Sequence, residues 1–363
     1  MSDVSVVTRE HLVKTIRAKL NAKPKEMTYH HFKSFPDPTE SAAYVLVVGA
    51  GFSYGVMPLT RELMHETIGD YYYPDQDQSS MERPARTLQK YSASFWREFN
   101  EASEREGLEV VEVDHRGLPK EPGAAYRTLF TYKGANALFG PQEKGKKFVQ
   151  GFLRYVLAPG SEHGSGAAGR NRLNPAHTYL AKLLEAQQIG QRWTGRAFCR
   201  TIFTTNFDTL LQTALRRVDI GYFTTDRPER GLNLADFPNE EDTIHLVYTH
   251  GSIARHNPAS TTDELDGLAG QNITVLRDCL ETRDVIIIGY SGWKDGLMAA
   301  LLRCDSNKHR VYWCGKGPKP DSPVASFLEQ QVPGAAAYVS LGQEGADGLM
   351  RDLYHTLIPE ETR

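Results

Sequence analysis

The 363-residue chain is long enough for one large domain or a core with a sizeable insertion. It holds 42 Lys and Arg against 45 Asp and Glu, a net charge of −3, which argues against wholesale or sequence-specific binding along a nucleic-acid backbone. With 40% hydrophobic and 24% charged residues the composition is that of a folded chain rather than a disordered one.

The N-terminal segment Arg9–Leu20 is amphipathic, with Leu12, Val13, Ile16 and Leu20 on one face. Ahead of it, MSDVSVVTREHLVK lacks the apolar centre of a signal peptide, and no window of 18 apolar residues offers a membrane span. Short β-branched and aromatic runs then predict six buried strands: Tyr44–Val48, Thr201–Thr205, Thr243–Thr249, Asp284–Ile288, His309–Cys314 and Ala335–Leu341. Helical patterns fall between them, at Leu59–Ile68, Pro175–Ala186, Phe207–Val218, Ile273–Glu281 and Asp295–Arg303. Near-continuous apolar strands alternating with helices predict an α/β fold, a Rossmann-like, doubly wound and mostly parallel six-stranded sheet.

Two stretches interrupt that alternation. Residues 69–157 carry aromatic and charged segments at helical spacing and read as a helical insertion, and Ala158–Asn174 is a Gly/Ser-rich loop. The expected organisation is therefore an N-terminal helical segment at 1–43, a core domain at 44–341 and a C-terminal helix at 342–363. Within the insertion, Tyr71–Tyr73 and Trp96 read as core aromatics more readily than as a substrate stack. Asp70 reads as a surface or capping residue, and Asn239–Asp242 as a solvated loop. The four cysteines, Cys199, Cys279, Cys304 and Cys314, stand far apart with no C-x-x-C pair. They predict reduced, buried thiols of a cytoplasmic protein and no structural zinc.

Four stretches at strand ends carry candidate chemistry. Gly49-Ala50-Gly51-Phe52-Ser53-Tyr54-Gly55 follows the first strand, as either a phosphate-cradling loop or a tight strand-to-helix turn. Its spacing is one residue longer than the dinucleotide fingerprint, whose ribose-binding acid would fall near Asp70. Thr204-Thr205-Asn206-Phe207-Asp208 follows the second strand and reads as a ligand-facing polar cluster or a helix cap. Tyr248-Thr249-His250-Gly251-Ser252 offers His250 as a proton acceptor or as a structural histidine. Ile288-Gly289-Tyr290-Ser291-Gly292-Trp293, running on to Lys294, suits a ribose contact or a plain connection.

In register, these stretches resemble the sirtuin superfamily. The family's G-A-G-x-S, P-x-x-A-H, [T/Q]-N-x-D, H-G and late G-[T/Y]-S elements are matched by Gly49–Ser53, Pro175-Ala176-His177, Thr205–Asp208, His250-Gly251 and Gly289-Tyr290-Ser291, and Pro58 matches the proline after the glycine loop. The resemblance covers about residues 44–61 and 175–315. About 38 residues separate His250 from Gly289, with one cysteine and no paired spacing, so the four-cysteine zinc module of the protein-deacylating members has no counterpart. Thr205 stands where those members carry Gln, and their acetyl-lysine cleft loops have no match.

The chain is more similar to bacterial sirtuin-like effectors of anti-phage defence, which the resemblance implies cleave NAD. It implies Asn206, His250 and Asp208 as catalytic residues. Gly49, Ala50, Gly51, Phe52, Ser53, Pro58, Thr205, Gly289, Tyr290 and Ser291 would contact NAD. His177 belongs to the family pattern but reads as a helix–strand packing residue. NAD is the expected substrate, a homo-oligomer the expected assembly, and a separate activating subunit such as a HerA-type ATPase a further partner, because no sensor module is visible in the chain. Two alternatives stand beside NAD hydrolysis: an NAD-dependent deacylase or ADP-ribosyltransferase, and a non-catalytic subunit that senses NAD or ADP-ribose.

Overall fold

The computed structural model describes residues 4–21, 42–73, 85–139, 143–157, 173–188, 197–226, 243–251, 277, 280, 283–293, 295–305 and 309–358. Outside these fall the Ala158–Asn174 loop as far as residue 172, Ser252, Lys294, Cys279, the Asn239–Asp242 segment, and the Ile273–Glu281 helix apart from Arg277 and Leu280. The chain forms two compact units. One comprises residues 1–53, 173–255 and 268–363, and the other residues 54–172 and 256–267.

The first unit is built on a parallel sheet: β1 Val6–Thr8, β2 Ala42–Val48, β3 Ala197–Thr204, β4 Tyr222–Asp226, β5 Ile244–Tyr248, β6 Asp284–Ile288, β7 Val311–Gly315 and β8 Ala336–Ser340. Every pairing is parallel, and the strand order is β1-β8-β7-β6-β2-β3-β5-β4. The sheet is Rossmann-like and doubly wound, as the strand–helix alternation predicts. Among the described residues it has eight strands, however, not six. The expectation missed β1, which is three residues long, and β4, a half-buried YFTTD strand at the other edge. Neither shows the buried apolar run that marks a central strand.

Alternate side chains of β2 go to opposite faces, as the pleat requires. Tyr44, Leu46 and Val48 pack with Leu12 and Ile16 of the helix Arg9–Asn21, Leu180 of Pro175–Gln188, Leu211 of Leu210–Arg217 and Leu353 of Gly345–Leu357. Val45 and Val47 pack on the other face with Leu297 and Leu301 of Gly296–Arg303 and Phe327 of Ser322–Glu329. Apolar burial on both faces holds the central strands and fixes where their ends lie.

The second unit is helical. Three consecutive pieces, Thr60–Glu62, Leu63–Thr67 with π-type bonding, and Ile68–Tyr72, precede the helices Ala85–Arg105, Pro122–Leu129, Tyr132–Phe139 and Glu143–Leu157. Trp96 is fully buried and donates to the Met64 carbonyl at 2.8 Å, as a core aromatic should. Asp70 corrects the expectation of a surface or capping residue. It is buried, and Tyr155 donates to its Oδ2 at 2.7 Å. No helix among the described residues is long and apolar enough to cross a membrane.

Candidate active site

In the first unit the four strand-end stretches fall side by side, because β6, β2, β3 and β5 are consecutive in the sheet. The chain runs from β2 to β3 on one side and later returns to β6 on the other, so the strand order reverses at β2. Ligands of open α/β sheets bind in the crevice outside the carboxyl ends at such a reversal. Hydrogen bonds just beyond the strand ends align the stretches: Gly49 N donates to Ile288 O at 3.0 Å, Thr205 N to Val48 O at 3.1 Å and Thr249 N to Thr204 O at 3.0 Å.

Ser53 lies at the centre of a buried polar cluster. Its Oγ accepts from Asn206 Nδ2 at 3.1 Å, donates to Asp208 Oδ2 at 3.2 Å and lies 3.5 Å from His177 Nε2. Asp208 Oδ1 accepts from Leu210 N at 3.0 Å, so one carboxylate starts a helix and holds the cluster at once. Burial pushes the Asp208 carboxyl above its usual range, opposed by the hydrogen bonds from Leu210, Ser53 and Asn206. Asn174 closes the cluster from below: its Nδ2 donates to Phe52 O at 2.7 Å, and its Oδ1 meets His177 N at 3.1 Å and His177 Nδ1 closely. Burial drives His177 down to about 3, so its ring is neutral. A Ser–His–Asn chain resembles a nucleophile relay, yet Ser53 is buried and bound on several sides, which makes it a fastener.

The glycine turns have a reason independent of any ligand. A Cβ on Gly49 would stand 2.6 Å from Gly289 O and 2.7 Å from Tyr290 Cα, and one on Gly289 would stand 2.4 Å from Phe52 N. Gly289 also has φ +69°, a left-handed conformation that glycine adopts without strain. Gly51 N donates to Gly289 O at 2.9 Å and Phe52 N to Gly49 O at 2.9 Å. Together with Gly49, these amides are engaged within the fold, so close backbone approach is what the glycines provide here.

His250 follows β5 and is buried, with its ring 6.2 Å from that of Phe207. Thr249, just before it, anchors the turn by donating Oγ1 to Thr204 O at 3.1 Å. The remaining expected residues divide. Ala50 and Ser291 are exposed, and Thr205 is partly so. Phe52 is buried in the first core with His177 against it edge-on, and Tyr290 is buried in the second, stacked on Trp313 at 5.7 Å. Pro58 lies in the second unit and is buried.

Sequence reasoning missed Asn174 and Asp295. The Asn-Pro pair at residues 174–175 is a helix-start signal that could have found the first. Asp295 opens the helix Gly296–Arg303, accepting from Met298 N at 2.9 Å, and its Oδ2 lies 3.2 Å from His250 Nε2.

Cys199 and Cys314 are buried as expected, whereas Cys304 is only partly buried and donates its Sγ to Ala300 O at 3.2 Å; burial pushes the Cys199 thiol up to about 12. Among the described residues no group of three or more His, Cys, Asp or Glu is arranged to hold a metal ion.

Fold and site together define a Rossmann-like protein with a polar, hydrogen-bonded cluster at its topological switch point. A family model described as a SIR2-like domain matches residues 200–331, the stretch that carries Asn206, Asp208, His250, Gly289 and Asp295. The match supports membership of the sirtuin-like superfamily and, with it, a sirtuin-type role in binding or processing NAD. A search of curated proteins finds no match to the chain.

Proposed function

We propose that the protein hydrolyses the N-glycosidic bond of NAD, giving nicotinamide, ADP-ribose and a proton. The observation that carries this reading is Asn206 held by Ser53 and Asp208 at the carboxyl end of β3. An asparagine has two amide N–H groups and one carbonyl oxygen. With the amide group donating to Ser53 and Asp208, the carbonyl is the part suited to accept from a ribose hydroxyl or an attacking water. Nicotinamide leaves readily, because its ring nitrogen is positively charged in NAD, and the transition state resembles the oxocarbenium ion of glycoside cleavage. Such a reaction needs orientation and charge stabilisation more than a strong acid.

In this reading Asn206 fixes the nicotinamide ribose and orients water, Asp208 fixes Asn206, and His250 accepts the proton from water or a ribose hydroxyl. The Gly49–Ser53 loop backs the pyrophosphate, and Gly289 and Ser291 flank the adenosine side. The resemblance to defence effectors supports a role in which hydrolysis depletes NAD on a signal from a partner.

Nicotinamide release from NAD by the purified protein tests the proposal. Asn206→Ala and His250→Ala are each expected to lower it on the order of a hundredfold or more. A loss below about threefold in both would reject the assignment. NAD binding without release would point to a sensing subunit, and an acyl-lysine peptide product to a deacylase.

A further inference from the structure

His250 and Asp295 approach each other from the ends of β5 and of the turn after β6. Both are buried, and His250 Nε2 lies 3.2 Å from Asp295 Oδ2. The contact has the distance of an ion pair without the alignment of a hydrogen bond, and neither atom has a hydrogen-bond partner among the described residues. The other oxygen of Asp295 is held firmly. Oδ1 accepts from Met298 N at 2.9 Å and from the Tyr290 hydroxyl at 2.7 Å. Tyr290 is itself fixed by its stack on Trp313, and Trp313 Nε1 donates to Tyr290 O at 3.1 Å.

A helix start needs only one acceptor, which Ser, Thr or Asn supplies as well as Asp. Burying a carboxylate there instead leaves its second oxygen desolvated, a cost with no return from the cap alone. That second oxygen is directed at His250. Two buried polar atoms facing each other at 3.2 Å, misaligned, are what a histidine–carboxylate pair shows before substrate draws it into line.

We propose that Asp295 is the positioning residue for His250, and that Tyr290 holds Asp295 for that task. The inference rests on the reading of His250 as the proton acceptor in NAD cleavage. The carboxylate beside Nε2 keeps the proton on that nitrogen in the free protein, which fixes the tautomer and leaves Nδ1 as the accepting nitrogen. Substrate turns the ring so that Nε2–H donates to Asp295 Oδ2. The proton passes from the water or ribose hydroxyl to Nδ1, while its bonding pair stays on oxygen. The imidazolium so formed is balanced by the carboxylate until the proton leaves to solvent.

Two variants and two readouts test this. Asp295→Asn keeps an oxygen for Met298 N and removes the charge, and Tyr290→Phe keeps the charge and removes the clamp. Nicotinamide release gives kcat and KM. The ring-nitrogen resonances of 15N-histidine-labelled protein, with His250 assigned by its loss in His250→Ala, report the tautomer without any turnover. Asp295→Asn is expected to lower kcat about tenfold to a hundredfold with KM within about twofold, and to shift the His250 ring signals. Tyr290→Phe is expected to do the same to a smaller degree, and it carries the test if Asp295→Asn melts early. Unchanged ring signals in both variants overturn the proposal, whatever happens to kcat, because a merely structural role would lower activity without touching the tautomer. If the wild-type protein releases no more nicotinamide than Asn206→Ala, the NAD reading fails, and the ring signals still decide whether Asp295 positions His250.

Discussion

At the scale of single residues, the cluster around Ser53 is held by groups whose protonation is set by burial. His177 is kept neutral, well below its ordinary value of 6.5, at about 3; outside that cluster, on β5, His245, stacked on Phe223 and 2.8 Å from Thr225 Oγ1, is held at about 4. Both histidines bind a proton more readily in the unfolded chain than in the folded one. Their stabilisation is therefore complete above pH ~6.5 and is lost as pH falls through the folded values toward ~3. Asp208, raised by burial, has the opposite sign and favours the folded chain on acidification. Asp347 is raised by burial in the same way, whereas Asp114, Glu10 and Glu344 are held low by their arginine or lysine partners and lose that stabilisation on acidification, as the histidines do. Melting temperature is therefore expected to fall between pH 6.5 and 4. His177→Gln is expected to melt lower than wild type at pH 7 and to lose less on acidification, since the group that must take up a proton is gone. Thermal melts of both proteins across that range check this, and parallel curves would rule out His177 as a source of acid sensitivity.

At the scale of elements, the contact between the turns after β2 and β6 makes a sharper demand than either turn alone. Gly49→Ala places a methyl against Gly289 O and Tyr290 Cα, both backbone atoms that cannot swing aside. Overpacking of that kind costs about 1–3 kcal/mol, so the variant is expected to unfold at lower temperature and lower denaturant than wild type. Unfolding indistinguishable from wild type would mean the two turns have room to part. The same elements show what could be read from sequence. The six expected strands each carry a largely apolar run, and that run is visible without a partner. β1 and β4 are legible only through their neighbours, since Val6–Thr8 gains its place from β8 and Tyr222–Asp226 from β5. The site follows the same rule. Ser53, Asn206 and Asp208 sit in recognisable strand-end motifs, and the fold brings them within hydrogen-bond distance. Asn174 and Asp295 are lone residues at helix starts, and what each touches depends on a strand far away in the chain. Helix-start chemistry marks such residues as caps and cannot show that one faces Phe52 and the other His250.

At the scale of the whole chain, the first unit is assembled from three separate segments, yet its sheet and both core clusters are drawn from those segments alone. The longer of the two excursions into the second unit begins after Ser53 and ends before Leu173; the other is residues 256–267. At that break the first unit is tied to itself: Asn174 Nδ2 donates to Phe52 O at 2.7 Å, so the chain leaves and returns within one hydrogen bond's reach. Insertions whose ends lie close together are readily tolerated, because joining them imposes little strain and costs little loop entropy. Replacing residues 54–172 by a short Gly/Ser linker is therefore expected to leave the first unit folded, with a cooperative thermal transition and a near-ultraviolet signal from the buried, Tyr290-stacked Trp313. A broad, non-cooperative melt with loss of that signal would show that the sheet does not fold on its own segments. In that case the placement of Ser53 beside Asn206 and Asp208 would depend on the second unit being present, and the polar cluster would be a property of the whole chain rather than of the sheet that carries it.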